Sequence, residues 1–238
     1  VFSQLFRDPS RASDAPADLH HAVLATPIAA PAGPGQGEAY FGCGCFWGAE
    51  KGFWRLPGVV TTAVGYAGGQ TPAPTYQQVC GGRTGHAEVV RVVWNQDLLH
   101  FSDLLKLFWE CHDPTQGDRQ GNDRGSQYRS ALYVEDPELL ALAQASREAY
   151  GAQLAAAGFG AITTEIRSLP PFTYAEPYHQ QYLAKPGSRP YCSAQPSGVP
   201  LGSFPGSQYR LPEAVWQAYD WSVPHCVLRG ANTPIPLP

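Results

Sequence analysis

Phe41-Gly-Cys-Gly-Cys-Phe-Trp-Gly-Ala-Glu50 is the stretch around which the chain is arranged. The apolar run Ala39-Tyr40-Phe41 reads as the end of a buried strand, and Gly42 and Gly44 permit a tight turn. From Phe46 onward, apolar residues recur at helical spacing: Phe46, Trp47, Phe53, Trp54 and Leu56. Cys45 is therefore expected at a strand-to-helix turn, at or just before a helix N-terminus. Unpaired backbone N–H groups there favour an anion and lower a thiol pKa, which makes the sulfur more nucleophilic. Two large aromatics follow it and can wall an apolar pocket. The plainer reading of Cys45 is a small buried hydrophobe.

Working outward, residues 1–38 are rich in Ala, Pro, Gly and Asp and read as an irregular arm, with one short helical turn near Ala17–Ala22. Gly58–Tyr66 is β-branched and reads as a strand. Ala67–Arg83 reads as a long Gly/Pro/Thr loop holding Tyr76. In the strand His86–Trp94, Glu88 shares a largely apolar face with Val90, Val92 and Trp94, opposite Ala87, Val89, Arg91 and Val93. A helix capped by Ser102 runs to Cys111, and a polar Gly-rich loop spans Asp113–Gln127. A strand follows at Ser130–Glu135. Asp136 and Pro137 then start a long helix ending near Gly158, and Ala161–Arg167 is a further strand. Past Pro170 only short helical pieces are expected, near 174–183 and 212–219. This order predicts an α+β fold, a ferredoxin-like two-layer sandwich with long irregular terminal arms. The expected division is an arm at 1–38, a catalytic domain at 39–187 and an extended tail at 188–238.

The 238 residues are 43% hydrophobic, enough for a sizeable core, and the net charge of −4 gives no basic footprint for nucleic acid. No apolar run approaches the ~20 residues that cross a bilayer, and no secretory leader is visible. The six cysteines are irregularly spaced and read mainly as thiols in a reducing, cytoplasmic setting, with Cys80 and Cys111 packed. Methionine is absent.

Gly44-Cys45-Phe46-Trp47-Gly48 resembles the signature of the class A peptide methionine sulfoxide reductases. Four further stretches resemble the same family in order and spacing. They are Pro74-Thr75-Tyr76 with Val79-Cys80; Thr84-Gly85-His86-Ala87-Glu88; His112-Asp113-Pro114 through Gln120-Gly121-Asn122-Asp123 to Gln127-Tyr128-Arg129-Ser130; and His179-Gln180-Gln181-Tyr182-Leu183. The resemblance implies thiol-dependent reduction of methionine sulfoxide, free or in proteins, of the S epimer at sulfur. It implies no cofactor, a thioredoxin-like reductant and a monomer, with no nucleic-acid or membrane partner.

Such a reduction needs a thiolate to attack sulfur, a proton donor for the oxygen and an apolar seat for the methyl group. Cys45 supplies the first. Glu88, desolvated on its apolar face, is a candidate donor held protonated near pH 7. Tyr76 and Tyr128 can donate phenolic hydrogen bonds, Phe46 and Trp47 can form the seat, and Asp123 can order a water or a tyrosine. The resemblance implies these roles. Taken alone, Glu88 fits an ion pair with an arginine equally well, Phe46 and Trp47 fit the core, and Asp123 fits a turn. His179 is a base or a packed support. The resemblance also makes Cys192 the resolving cysteine, in a tail expected to be mobile, closing a Cys45–Cys192 disulfide over the sulfenic acid. A further cysteine that many family members carry after a Gly-Val is missing, because Pro200 follows Gly198-Val199. Cys226 has no counterpart, and a Cys43–Cys45 bridge would be strained. The rival readings are a cysteine hydrolase using Cys45 with His179 or His86, and a metal or redox-sensor module on Cys43-x-Cys45.

Overall fold

The computed structural model describes residues 18–224 and 226–238. Among the described residues, eight strands and five α-helices follow in chain order: β1 Gln36–Cys43, α1 Phe46–Trp54, β2 Val59–Ala67, α2 Tyr76–Cys80, β3 Ala87–Asn95, α3 Phe101–Glu110, β4 Arg119–Gln120, β5 Asp123–Arg124, β6 Ser130–Val134, α4 Pro137–Ala156, β7 Glu165–Ser168, β8 Phe172–Tyr174 and α5 Glu213–Trp216. The fold is α+β. Six strands form one mixed sheet in the order β7-β6-β1-β3-β2-β8, and β4 and β5 form a separate hairpin. Within the sheet, β1, β2, β3, β6 and β8 pair antiparallel, while β7 joins β6 in parallel.

The β3 alternation works as read. Val90, Val92 and Trp94 enter the main core with Phe41, Phe53, Phe108 and Trp109, where α1 and α3 pack. Ala87 and Val89 join Tyr40 and Tyr133 on the opposite face. On that face Arg91 pairs with Glu38 at 2.7 Å and donates to the carbonyls of Ile28 and Ala30, which fixes the N-terminal arm to the sheet.

Several expectations change. Ala17 lies outside the described residues; from Asp18 to Ala22 the chain makes a turn leading into a bridge between His20 and Pro27, not a helix. The supposed loop around Tyr76 holds α2, closed by a Thr75–Gln78 capping box and too short to show a period. His100, not Ser102, caps α3. Near 174–183 only a single 3-10 turn forms, at Tyr182–Ala184. The C-terminal tail has little regular structure yet is firmly packed. Leu201, Phe204, Leu211, Val215 and Trp216 are buried, and the Leu201 N–H donates to Glu110 at 2.7 Å. Trp54 Nε1 donates to the Asn232 carbonyl at 2.7 Å.

Candidate active site

Cys45 is the N-cap residue of α1, delivered there by β1 and by Gly44, whose φ of +86° suits glycine. A Cβ at Gly44 would also lie 2.6 Å from Gln120 Cβ, so the turn is closed as well as tight. Cys45 is buried, and its thiol sits well above the usual range. Burial is the main cause and the Glu88 carboxylate the next, against the backbone N–H of Trp47. The expected lowering is thus not met in the resting site. The helix terminus acts as anticipated but is outweighed by desolvation, which spacing along the chain does not reveal.

Glu88 comes up from β3 beneath the same helix terminus. Phe46 N–H donates to its Oε2 at 3.0 Å. Glu88 is 2% exposed and takes part in no ion pair among the described residues. Burial pushes its carboxyl up to about 8, opposed by the Phe46 bond and reinforced by Asp123. It therefore holds a proton at neutral pH, as the apolar-face argument expected.

Tyr76, at the first position of α2, and Tyr128, in a 3-10 turn at Ser126–Tyr128, are both half-buried. Burial raises both phenols first of all, and Glu88 contributes to each, so both hydroxyls belong to its surroundings. Asp123 is set by the β4–β5 hairpin and accepts a hydrogen bond from the Tyr191 hydroxyl. Phe46 is fully buried, with ring contacts to Tyr66 and His179, whereas Trp47 is half-buried and stacks on Tyr182 at 3.9 Å. Phe46 backs the wall and Trp47 presents a face.

His179 is a support rather than a base. Trp47 Nε1 donates to its Nδ1 at 3.1 Å, which leaves the ring proton on Nε2. The ring lies 4.4 Å from that of Tyr76, and burial lowers its pKa to about 4. Sequence reasoning missed Glu176, which accepts from the Tyr66 hydroxyl at 2.9 Å and from the Tyr76 N–H at 2.8 Å. It also missed Tyr191, whose only signal is adjacency to Cys192.

Cys192 is buried against α1: a Cβ on Gly48 would lie 2.5 Å from its sulfur. It is close enough to add to the raising of the Cys45 thiol. The flanking chain is pinned rather than mobile. Tyr191 holds Asp123, a Cβ on Gly121 would meet the Ser193 carbonyl at 2.2 Å, and Gln195 N–H donates to Gln120 at 3.0 Å. Burial pushes the Cys192 thiol up to about 12. Cys43, Cys45, Cys80, Cys111 and Cys192 are all free thiols. Cys80 is exposed rather than packed; the Cys226 side chain lies outside the described residues.

The family model described as peptide methionine sulfoxide reductase matches residues 37–199. The chain belongs to this family. It is 56% identical to the peptide methionine sulfoxide reductase MsrA of Rhodospirillum centenum over 193 residues, covering 80% of this chain and 87% of that protein. With the MsrA of Pseudomonas aeruginosa it shares 55% identity over 193 residues, 81% of this chain and 89% of the relative. Among solved structures, methionine sulfoxide reductase A of Corynebacterium diphtheriae superposes with a TM-score of 0.68 at 48% identity, covering 76% of this chain and 88% of that one. The reduced form of Mxr1 from Saccharomyces cerevisiae gives a TM-score of 0.61 at 32% identity, covering 68% and 92%.

Proposed function

We propose the following course for this peptide methionine sulfoxide reductase. The observation that carries it is the shared position of Cys45 and the buried Glu88 carboxyl at one helix N-terminus, where Phe46 N–H donates to Glu88. The substrate methyl group lies against Trp47, backed by Phe46. The sulfoxide oxygen faces Glu88 and the hydroxyls of Tyr76 and Tyr128. Cys45 Sγ attacks the sulfoxide sulfur as oxygen takes the Glu88 proton. The hydroxyl so formed passes from the substrate sulfur to Sγ as the new sulfur–sulfur bond breaks, which yields the sulfide and a Cys45 sulfenic acid, and the proton given up by the Cys45 thiol restores Glu88. Asp123 positions Tyr191 at the pocket edge. Neutral Glu88 also removes the second cause that holds the Cys45 thiol up, so oxygen protonation and thiolate attack suit the same charge state.

Cys192 then attacks the sulfenic sulfur, releasing water and leaving a Cys45–Cys192 disulfide. A thioredoxin-like dithiol reopens it. The preferred substrate is the S epimer, free or in a peptide, and no cofactor enters the scheme. The enzyme is read as a cytoplasmic monomer. Among the described residues no helix is long and apolar enough to cross a membrane. In fold terms, β6-β1-β3-β2 with α1 and α3 is read as a ferredoxin-like core, extended by β7 and β8 at its edges. The catalytic unit is read as 39–187, with the arm at 1–38 and a resolving tail at 188–238.

The test is turnover of each epimer of a methionine sulfoxide peptide with dithiothreitol. Wild type is expected to consume the S epimer, and Cys45→Ser to consume none, because oxygen cannot cycle through a sulfenic acid. Appreciable turnover by Cys45→Ser overturns the scheme.

A further inference from the structure

Two buried thiols stand outside the chemistry above. Cys43 ends β1 and Cys111 caps the C-terminus of α3. Together with His112, their ligand-type atoms lie within 4.8 Å of one another. A cation there would need a free imidazole nitrogen. His112 has none: Nδ1 lies 2.7 Å from the Phe108 carbonyl and Nε2 lies 2.7 Å from Ser130 Oγ. The pair is therefore a dithiol rather than a metal centre. Cys43, Cys111 and Cys192 all line one small cavity of about 10 Å³. Cys192 thus meets the Cys45 helix at Gly48 and this buried pair at the cavity.

We propose that Cys111 and Cys43 form an internal reducing store that reopens the Cys45–Cys192 disulfide and readies the enzyme for a second sulfoxide without external reductant. The proposal rests on the Cys45–Cys192 reading. In the first exchange, the Cys111 thiolate attacks Cys192 Sγ. A Cys111–Cys192 bond forms, the Cys45–Cys192 bond breaks, and Cys45 leaves as thiolate and takes the proton lost by Cys111. In the second, Cys43 attacks Cys111 Sγ and Cys192 leaves and is protonated in turn. The net result is one disulfide and two thiols exchanged for one disulfide and two thiols, with the oxidation now at Cys43–Cys111. Sulfur–sulfur bonding requires the pair to close to about 2.05 Å, a short movement from their present separation. Cys43–Cys111 avoids the strain of a Cys43–Cys45 bridge, because its partners lie on different elements. Exchange is slow, since the Cys111 and Cys192 thiols both sit above the usual range.

The experiment is a titration of reductant-free enzyme. Protein is fully reduced, desalted anaerobically and given excess methionine S-sulfoxide peptide, and sulfide formed per protein is counted. Wild type is expected to form two equivalents and to yield a Cys43–Cys111 disulfide on peptide mapping. Cys111→Ser is expected to halve the yield to one; Cys43→Ser, which still allows the first exchange, is expected to form its second equivalent but to stall with a Cys111–Cys192 bridge and a Cys45 sulfenic acid; and a Cys80→Ser/Cys226→Ser double variant is expected to keep two. One equivalent from wild type with a Cys45–Cys192 bridge overturns the store while leaving the catalytic scheme intact. Two equivalents with the second disulfide at Cys80 or Cys226 also overturn it. A first-equivalent bridge that excludes Cys192, seen in Cys111→Ser, overturns the underlying reading instead. Mapping of wild type requires no substitution, so a poorly folding variant does not block the answer.

Discussion

The backbone N–H of Phe46 donates to Glu88 Oε2 at 3.0 Å, tying the helix that presents Cys45 to the strand that presents the acid. A protonated carboxyl accepts that bond through one oxygen and keeps Oε1 to carry the proton. The same bond that lowers the Glu88 pKa therefore also aims its proton. Burial wins the contest over the pKa, leaving a carboxyl that is both oriented and neutral.

Glu88→Gln follows from that geometry. The amide oxygen can still accept from Phe46, so the helix terminus is kept, but the amide has no transferable proton. The chemical step is expected to slow by roughly 10²–10⁴-fold, the usual worth of a general acid. Losing only Tyr76 or only Tyr128 should cost less, because one hydroxyl remains. Single-turnover rates measure this; a Glu88→Gln rate within about threefold of wild type would contradict the proton-donor role.

The pH dependence has a definite sign. The folded pKa of Glu88, about 8, lies above its ordinary value of 4.5. Its favourable contribution to stability is fully present below the ordinary value and is lost as pH rises toward 8. Across that window each unit costs at most about 1.4 kcal/mol. Glu88→Gln should gain stability relative to wild type between those pH values, and wild-type single-turnover rates should fall once pH passes about 8. Denaturant melts of both proteins along a pH series check the first, and a stability difference that does not vary with pH contradicts it.

How much of this was legible in the sequence depended on distance along the chain. Cys45 and Glu88 could be placed because a turn followed by helical spacing, and an alternating strand, are local patterns. The elevated Cys45 thiol was not legible, since it depends on what covers the site. The tail was misjudged for a related reason. Its Pro/Gly-rich composition suggests mobility, yet Tyr191 and Gln195 bond to Asp123 and Gln120 in the hairpin region. Glu176 was missed because its partners Tyr66 and Tyr76 lie about a hundred residues away. Strand β8 was missed because three residues show no period.

Gly48→Ala tests the seating of Cys192. Alanine suits a helix better than glycine, but its Cβ would lie 2.5 Å from Cys192 Sγ, so the tail has to shift. The first reduction of sulfoxide does not need Cys192 and is expected to persist. Disulfide closure should slow by up to about 10²-fold, the scale of a displacement near 1 Å. Trapping the sulfenic acid with a cyclic diketone at timed intervals gives the rate. Closure at the wild-type rate would mean that Cys192 reaches Cys45 by another path.

Cys192→Ser separates reduction from recycling. Among the cysteines only Cys45 attacks the sulfoxide, so one equivalent of sulfide should form at a near-normal rate. The protein should then stall as the Cys45 sulfenic acid, since the serine hydroxyl cannot condense with it to a disulfide. Thioredoxin-driven turnover should collapse, because a thioredoxin-like dithiol acts on a disulfide. Dithiothreitol should restore part of the rate by attacking the sulfenic acid directly. The buried store does not rescue this variant, because Cys192 is the sulfur through which Cys111 would act. Intact mass after one equivalent of substrate should show one added oxygen and no disulfide. Full thioredoxin-driven turnover, or a new bridge from Cys45 to Cys43 or Cys226, would assign the resolving role to a different cysteine.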